Sequence, residues 1–200
     1  ITAGPTYEAI DPVRGITNRS SGKMGYAIAQ AAREAGAQVT LISGPVALPC
    51  PRGVQRIGVQ SAQDMLQAAQ PAAESADIFI AAAAVADWRV ANAAAHKLKK
   101  DGSGQAPALE FAENPDILAT IARSPRAQAG QLYCVGFAAE SENLESYAKA
   151  KRERKGVPLL VGNIGPATFG QDDNALLLVD AQGSRELPRA SKRQLAQQLL

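Results

Sequence analysis

Histidine and cysteine are almost missing from this chain: His96 is the one histidine, and Cys50 and Cys134 are the two cysteines in 200 residues. A Ser-His-Asp triad or a multi-histidine metal site has almost no material from which to be built. The two cysteines lie far apart, with no His or Cys at ligand spacing. Neither a disulfide framework nor a structural zinc is expected, and a reducing cytosol fits. Charge of one sign is also lacking: 21 Lys+Arg against 19 Asp+Glu leave +2. That balance argues against nucleic acid or an anionic membrane as the main partner. The longest apolar run, 78–86, is strand-sized and mostly alanine, far short of the roughly 18 residues that a membrane span needs. The chain opens at Ile1 with no signal-peptide pattern, which reads as a piece of a longer protein.

What is present alternates. Short β-type runs stand at 39–43, 56–60, 77–83, 132–137 and 159–161. Between them lie alanine-rich segments with helical spacing at 25–34 (closed by Gly36), 62–74, 115–123 and 143–155. Pro71 is expected to kink or shorten the second of these, and Asn114-Pro115 reads as an Asn N-cap with proline at the first helical position. The alternation predicts an α/β fold, a Rossmann-like, doubly wound and mostly parallel sheet in one domain over 1–200. Two stretches depart from it. Residues 85–110 hold no amphipathic helix and read as a loop or flexible hairpin, with a flap near 97–110. Residues 174–187 read as a β-hairpin after the parallel sheet, an edge or dimer element.

Open α/β sheets bind ligands at the carboxyl ends of their strands, so the strand-to-helix connections carry the candidates. The first contains Gly4-Pro5-Thr6, Asp11-Pro12-Val13-Arg14 and Asn18-Arg19-Ser20-Ser21-Gly22-Lys23-Met24-Gly25. Small residues opening a helix suit phosphate, although such a turn can also serve only to pack helix on sheet. The second, 81–89, lets a ligand approach the backbone at small residues, with Asp87 offering a carboxylate or, alternatively, capping a turn. In Lys97-Leu98-Lys99-Lys100 the amines suit a polyphosphate; a solvated charged face is the alternative. Asn114-Pro115-Asp116-Ile117 opens another helix, and Lys151 and Lys155 share one side of a later one. Phe137 ends a strand, where it could stack on a base or simply pack in the core.

In this order, the motifs at 11–14, 18–25, 84–89, 97–100 and 114–117, with Gly136-Phe137-Ala138-Ala139-Glu140, resemble the phosphopantothenoylcysteine synthetase family. The resemblance covers essentially the whole chain. It implies that 4′-phosphopantothenate is activated by CTP to an acyl-cytidylate with loss of pyrophosphate, and that the amine of cysteine then displaces CMP. It implies Mg²⁺ with the nucleotide, no flavin in this chain, a homodimer, a cytoplasmic setting and fusion to a flavin-dependent decarboxylase in the full-length protein. By position, Asn18 and Lys97 would be catalytic, and Arg14, Asn18, Ala83, Ala84 and Asp87 would hold phosphopantothenate, with Arg14 reaching the neighbouring subunit's. Gly4, Ser20, Gly22, Gly25, Asp87, Lys97, Asn114, Pro115, Asp116, Ile117, Phe137, Lys151 and Lys155 would hold the nucleotide; the metal's protein ligand stays unassigned. A second reading is an NAD(P)-dependent oxidoreductase of the short-chain dehydrogenase type. It rests on Gly22-Lys23-Met24-Gly25 before a helix and on the Tyr147…Lys151 spacing. The long first connection and Ser43-Gly44-Pro45, with no acid for a ribose, argue against it.

Overall fold

A computed structural model describes every residue except 101, 103, 141, 165–167 and 169. Asp101 and Ser103 of the expected flap are therefore outside the described residues. The main sheet is built from β1 (Thr2–Ala3), β4 (Thr40–Ser43), β5 (Gln55–Gly58), β6 (Ile78–Ala81), β9 (Tyr133–Glu140), β10 (Leu159–Ile164), β11 (Asp173–Val179) and β12 (Ser184–Ser191). Across the sheet they run β12-β11-β10-β9-β6-β1-β4-β5. The pairs from β10 to β5 are parallel, and β11 and β12 are antiparallel additions at one edge. The expected doubly wound sheet and C-terminal hairpin are both there. Strand order reverses between β1 and β6, and such a switch point opens a crevice at the carboxyl ends.

Side chains alternate along the strands and feed two layers. Ile80, Val135, Val161, Leu176 and Leu178 meet Ile28 of α1 (Lys23–Glu34) and Leu195 of α6 (Lys192–Leu199). On the opposite face, Phe79, Cys134, Leu160 and Leu177 meet Met65 of α2 (Ala62–Ala73), α3 (Ile117–Ala122) and Ala148 of α5 (Leu144–Lys155). A short α4 (Pro125–Gln128) follows α3. Leu160 is fully buried, and cutting it to alanine would cost about 2–5 kcal/mol.

Local chemistry explains the boundaries that sequence periodicity misplaced. α2 starts on a Ser61–Asp64 capping box and runs through Pro71, which stands in its final turn and removes only one late hydrogen bond. α3 is not capped by Asn114: Asp116 is the N-cap, accepting from the Ala119 N–H, and the helix begins at Ile117. The long first connection contains an unexpected ribbon, β2 (Tyr7–Ala9) paired antiparallel with β3 (Gly15–Thr17). The 85–110 stretch supplies one strand of a hairpin, because β7 (Trp88–Val90) pairs with β8 (Phe111–Glu113), which begins just beyond it. These two ribbons form an arm beside the carboxyl edge of the sheet, and Trp88 and Phe111 on it are exposed.

Candidate active site

The crevice between β1 and β6 has two lips of different chemistry. The first begins where β1 continues into Gly4, whose left-handed φ of 77° turns the chain under Gly44 and Val46. The Ala84 N–H donates to Gly4 O at 2.9 Å and the Thr6 N–H donates to Ala84 O at 3.1 Å, so both chains leave the sheet still paired. Thr6, fully buried, accepts the Ala86 N–H on Oγ1 at 3.0 Å. Asn18 closes the lip: its Nδ2 donates to Ala84 O at 2.5 Å, and its Oδ1 accepts the Ser20 N–H at 3.0 Å. The Ser20 Oγ accepts the Gly22 N–H at 3.4 Å.

α1 then starts from Gly22, at φ 75°, with no side-chain cap and no acid in its first turn. The N-terminal N–H groups and the positive end of the dipole are therefore offered to an anion. Gly25 does a different job in the same segment. A Cβ there would stand 2.6 Å from that of Ala3, so the packing alternative accounts for this glycine. Lys23 leans away from the lip to Asp172 at 2.7 Å and to Gly170 O at 2.8 Å. Beside Gly44 a cleft of about 470 Å³ covers the carboxyl ends of β4 and β5, lined in part by Ser43, Arg56 and Gly58.

The second lip is charged. Asn114, 8% exposed, spans the step after β8 to the chain after β6: its N–H donates to Asp87 O and its Nδ2 to Ala86 O, both at 2.8 Å. The carbonyl at Ala86 fixes which way the amide faces, and Asn114 Oδ1 is left buried without a partner. Such an acceptor calls for a donor from a ligand or water. Asp116 is ion-paired with Lys155. Burial pushes the Asp116 carboxyl up, but the Lys155 ammonium and the Ala119 N–H carry it below its ordinary value. One turn earlier on α5, Lys151 faces Glu140 at 3.9 Å. Burial, with Lys155 and Arg154 nearby, lowers the Lys151 ammonium's pKa against the pull of Glu140 and Asp87. The Lys151 and Lys155 side chains are 28% and 17% exposed, so neither belongs to a solvated face. Phe137 is half-buried against the α1 layer, with Ile80 and Val135.

The fold thus brings together Gly4, Asn18, Ser20, Gly22, Ala83 and Ala84 on one lip and Asp87, Asn114–Ile117, Lys151 and Lys155 on the other. Arg14 joins neither. It turns to its own chain, donating to Asp11 and to Leu98 O at 2.8 Å. Lys97, next to Leu98, is exposed. Sequence reading quoted Thr6, Glu140 and Asp11 within motifs but gave none of them a role of its own. An Asp-Pro start before Arg14 was the usable signal, because Asp11 Oδ1 accepts the Val13 and Arg14 N–H groups as an Asx turn does. Among the described residues no three His, Cys, Asp or Glu side chains converge as a metal site. In the same residues no helix is long and apolar enough to cross a membrane.

Residues 1–200 match the family model described as the DNA/pantothenate metabolism flavoprotein C-terminal domain. The Coenzyme A biosynthesis bifunctional protein CoaBC of Vibrio vulnificus is 49% identical over 203 residues, which are 100% of this chain and 50% of that protein. The chain spans about half the length of the curated relatives it matches. A crystal structure of the C-terminal domain of a CoaBC superposes with a TM-score of 0.82 at 39% identity, covering 99% of this chain and 89% of that one. A Cab2 mutant in complex with phosphopantothenate-cysteine superposes with a TM-score of 0.79 at 15% identity, over 100% of this chain and 82% of that one. At that identity it attests the fold alone.

Proposed function

The chain belongs to the DNA/pantothenate metabolism flavoprotein C-terminal domain family, matching the C-terminal domain of CoaBC proteins, and we propose that it joins 4′-phosphopantothenate to L-cysteine in coenzyme A biosynthesis. The observation that carries this reading is the pairing of two unlike lips across the β1/β6 switch point. One is a neutral cradle of backbone amides with Asn18; the other holds two lysines against three carboxylates. That is what a reaction between a phosphorylated acid and a nucleoside triphosphate needs.

The chemistry follows from the reactants. A carboxylate does not acylate an amine until one of its oxygens becomes a good leaving group. Attack of the phosphopantothenate carboxylate on the α-phosphate of CTP makes an acyl-cytidylate and releases pyrophosphate. The cysteine amine then attacks the acyl carbon, CMP leaves with the bonding electrons, and the amine proton passes to solvent. Lys151 and Lys155 would bind the triphosphate by exchanging carboxylate partners for phosphate oxygens. Lys97 would offset the charge that develops as pyrophosphate departs. Asn18, neutral and tied to Ala84 O, would sit against the anhydride without repelling it. Asp87 would hold the Mg²⁺ that accompanies the triphosphate, an ion that would offset phosphate charge when bound.

The family resemblance supports CTP over ATP. The exposed Val13, Trp88 and Phe111 are the surface that supports a homodimer. A flavin-dependent decarboxylase half in the full-length protein and a cytoplasmic setting complete the proposal. The oxidoreductase reading has lost its footing, since Lys151 is engaged with Glu140 while Tyr147 stands 45% exposed.

The test mixes the protein with 4′-phosphopantothenate, Mg²⁺ and either CTP or ATP, and follows pyrophosphate with and without cysteine. Pyrophosphate with CTP, and CMP plus amide only once cysteine is added, is the expected result. Release with ATP alone would keep the ligase and overturn the nucleotide. No release with either, together with tight NADPH binding, would overturn the ligase.

A further inference from the structure

Asp11 is buried and accepts five hydrogen bonds. Its Oδ1 takes the Val13 N–H at 2.8 Å and the Arg14 N–H at 2.9 Å; its Oδ2 takes the Arg14 Nε and a terminal guanidinium nitrogen, and also the Leu98 N–H at 3.0 Å. That same terminal nitrogen of Arg14 donates to Leu98 O at 2.8 Å. Both backbone polar groups of Leu98 are thus held by one ion pair, much as the edge of a strand would hold them. Four residues earlier, the Ala94 N–H donates to Ile10 O at 2.9 Å, and the 10–14 turn is itself closed by the Ile10 N–H on Arg14 O at 2.8 Å. Ala94 and Leu98 are half-buried, while residues 95–97, 99 and 100 are exposed. On the far side, the Glu110 N–H reaches Asn92 Oδ1 and the Ala91 N–H reaches Glu110 O.

We propose that Asp11 is a positioning residue: with Arg14 it grips Leu98 by both backbone groups and fixes the point from which Lys97 reaches the nucleotide. This rests on the reading above that Lys97 acts on the triphosphate. Lys97 then enters the site from a fixed foot, one residue from the gripped Leu98. Fixing the reach of a charged group matters because a misplacement of an ångström at a reacting centre costs orders of magnitude in rate. It also gives the buried Asp11 a task that packing does not require of it.

The test uses Asp11→Asn in the whole chain. Asparagine keeps an oxygen for the Val13 and Arg14 N–H groups but turns an NH₂ toward the Leu98 N–H and the guanidinium. The turn therefore survives and the grip is lost. Trypsin cleavage after Lys97, measured well below the variant's thermal midpoint, should rise by about tenfold relative to the parent, because local opening sets the rate. The kcat for pyrophosphate release should fall by about tenfold to a hundredfold with KM for CTP within about twofold, since position and not affinity is lost. Asp11→Glu, which restores the charge at a shifted position, should recover part of that loss.

Cleavage after Lys97 at the parent rate would overturn the grip, whatever the protein's activity. Faster cleavage with unchanged pyrophosphate release would overturn the positioning role. An inactive parent would remove the functional reading and the positioning role with it, while the cleavage result still decided whether the grip exists. Should Asp11→Asn fail to fold, hydrogen exchange in the unaltered protein decides: the Leu98 amide should exchange at least about tenfold more slowly than those of Lys97 and Lys99. Equal rates would overturn the proposal.

Discussion

The two lips of the crevice hold their shape in opposite ways. The lip made by Gly4, Thr6, Asn18 and Ser20 is neutral, and its polar groups are satisfied by backbone partners across β1 and β6. The lip made by Asp87, Asn114, Asp116, Glu140, Lys151 and Lys155 is a nearly balanced set of charges with one buried acceptor left over. A cradle of dipoles needs no reorganisation when a ligand arrives and is not titrated near neutral pH. A balanced set of charges attracts phosphate only after its lysines give up their carboxylates, so its affinity is a difference between two sets of ion pairs. Rigidity belongs to the first lip, and exchangeable charge to the second.

Lys97 stands outside both lips and should show the largest effect. Lys97→Gln should cut pyrophosphate release by about a thousandfold while the thermal midpoint stays put, as removal of one charge-stabilising donor does. Normal release would mean that the two lips suffice without it. Next comes Lys155→Gln, which should weaken CTP binding by about tenfold to a hundredfold in calorimetry, the worth of a charged hydrogen bond. Arg152→Gln on the same helix is the control. Arg152 donates to Pro158 O at the other end of the sheet, and its loss should leave CTP affinity unchanged. Equal losses from both would erase the distinction between a charged lip and a merely basic helix. Asn18→Asp turns the neutral lip into a charged one. It should leave pyrophosphate release nearly intact but slow amide formation by about tenfold, because the new carboxylate repels a phosphorylated anhydride. Amide formed at the parent rate would show that the first lip's neutrality is incidental.

The sequence made the sheet legible because β and helical periods alternate cleanly and because apolar strands of this length have few other uses. It made the first lip legible through the small residues of 18–25. The arm was harder to read: β2, β3, β7 and β8 are three residues each, too short for a period of two to register. Lys151 and Lys155 sat among Arg152, Glu153 and Arg154, and only the packing of α5 against β9 and β10 separates the half-buried pair from exposed Glu153 and Arg154. Asn114 was misread as a helix cap because an Asn-Pro pair carries that local signal. The competing partner, Ala86 O, lies 28 residues earlier in the chain. Asp11's contact with Leu98 spans 87 residues and leaves no local mark. What local rules could see was therefore secondary structure and turn chemistry; the hydrogen bonds that choose between a structural and a functional reading are long-range.

The smallest expected effect separates the lips by pH. The folded Asp116 carboxyl lies below its unfolded value of about 3.9 because Lys155 and the Ala119 N–H overcome the burial that would raise it. A group depressed in this way contributes stability that is fully present above the unfolded value and is lost as pH falls through the folded one. The Asp116 side chain is 45% exposed, so solvent screening reduces the pair to about 0.5 kcal/mol. In urea unfolding, Lys155→Met should lose about that much against the parent at pH 7 and nothing at a pH below the folded Asp116 value. Asn18→Ala should instead lose the same amount at both, because its bonds to Ala84 O and the Ser20 N–H join neutral groups. A Lys155→Met deficit that persisted in acid would mean that the lysine stabilises through its aliphatic stem, and the second lip would then be held by packing as well as by charge.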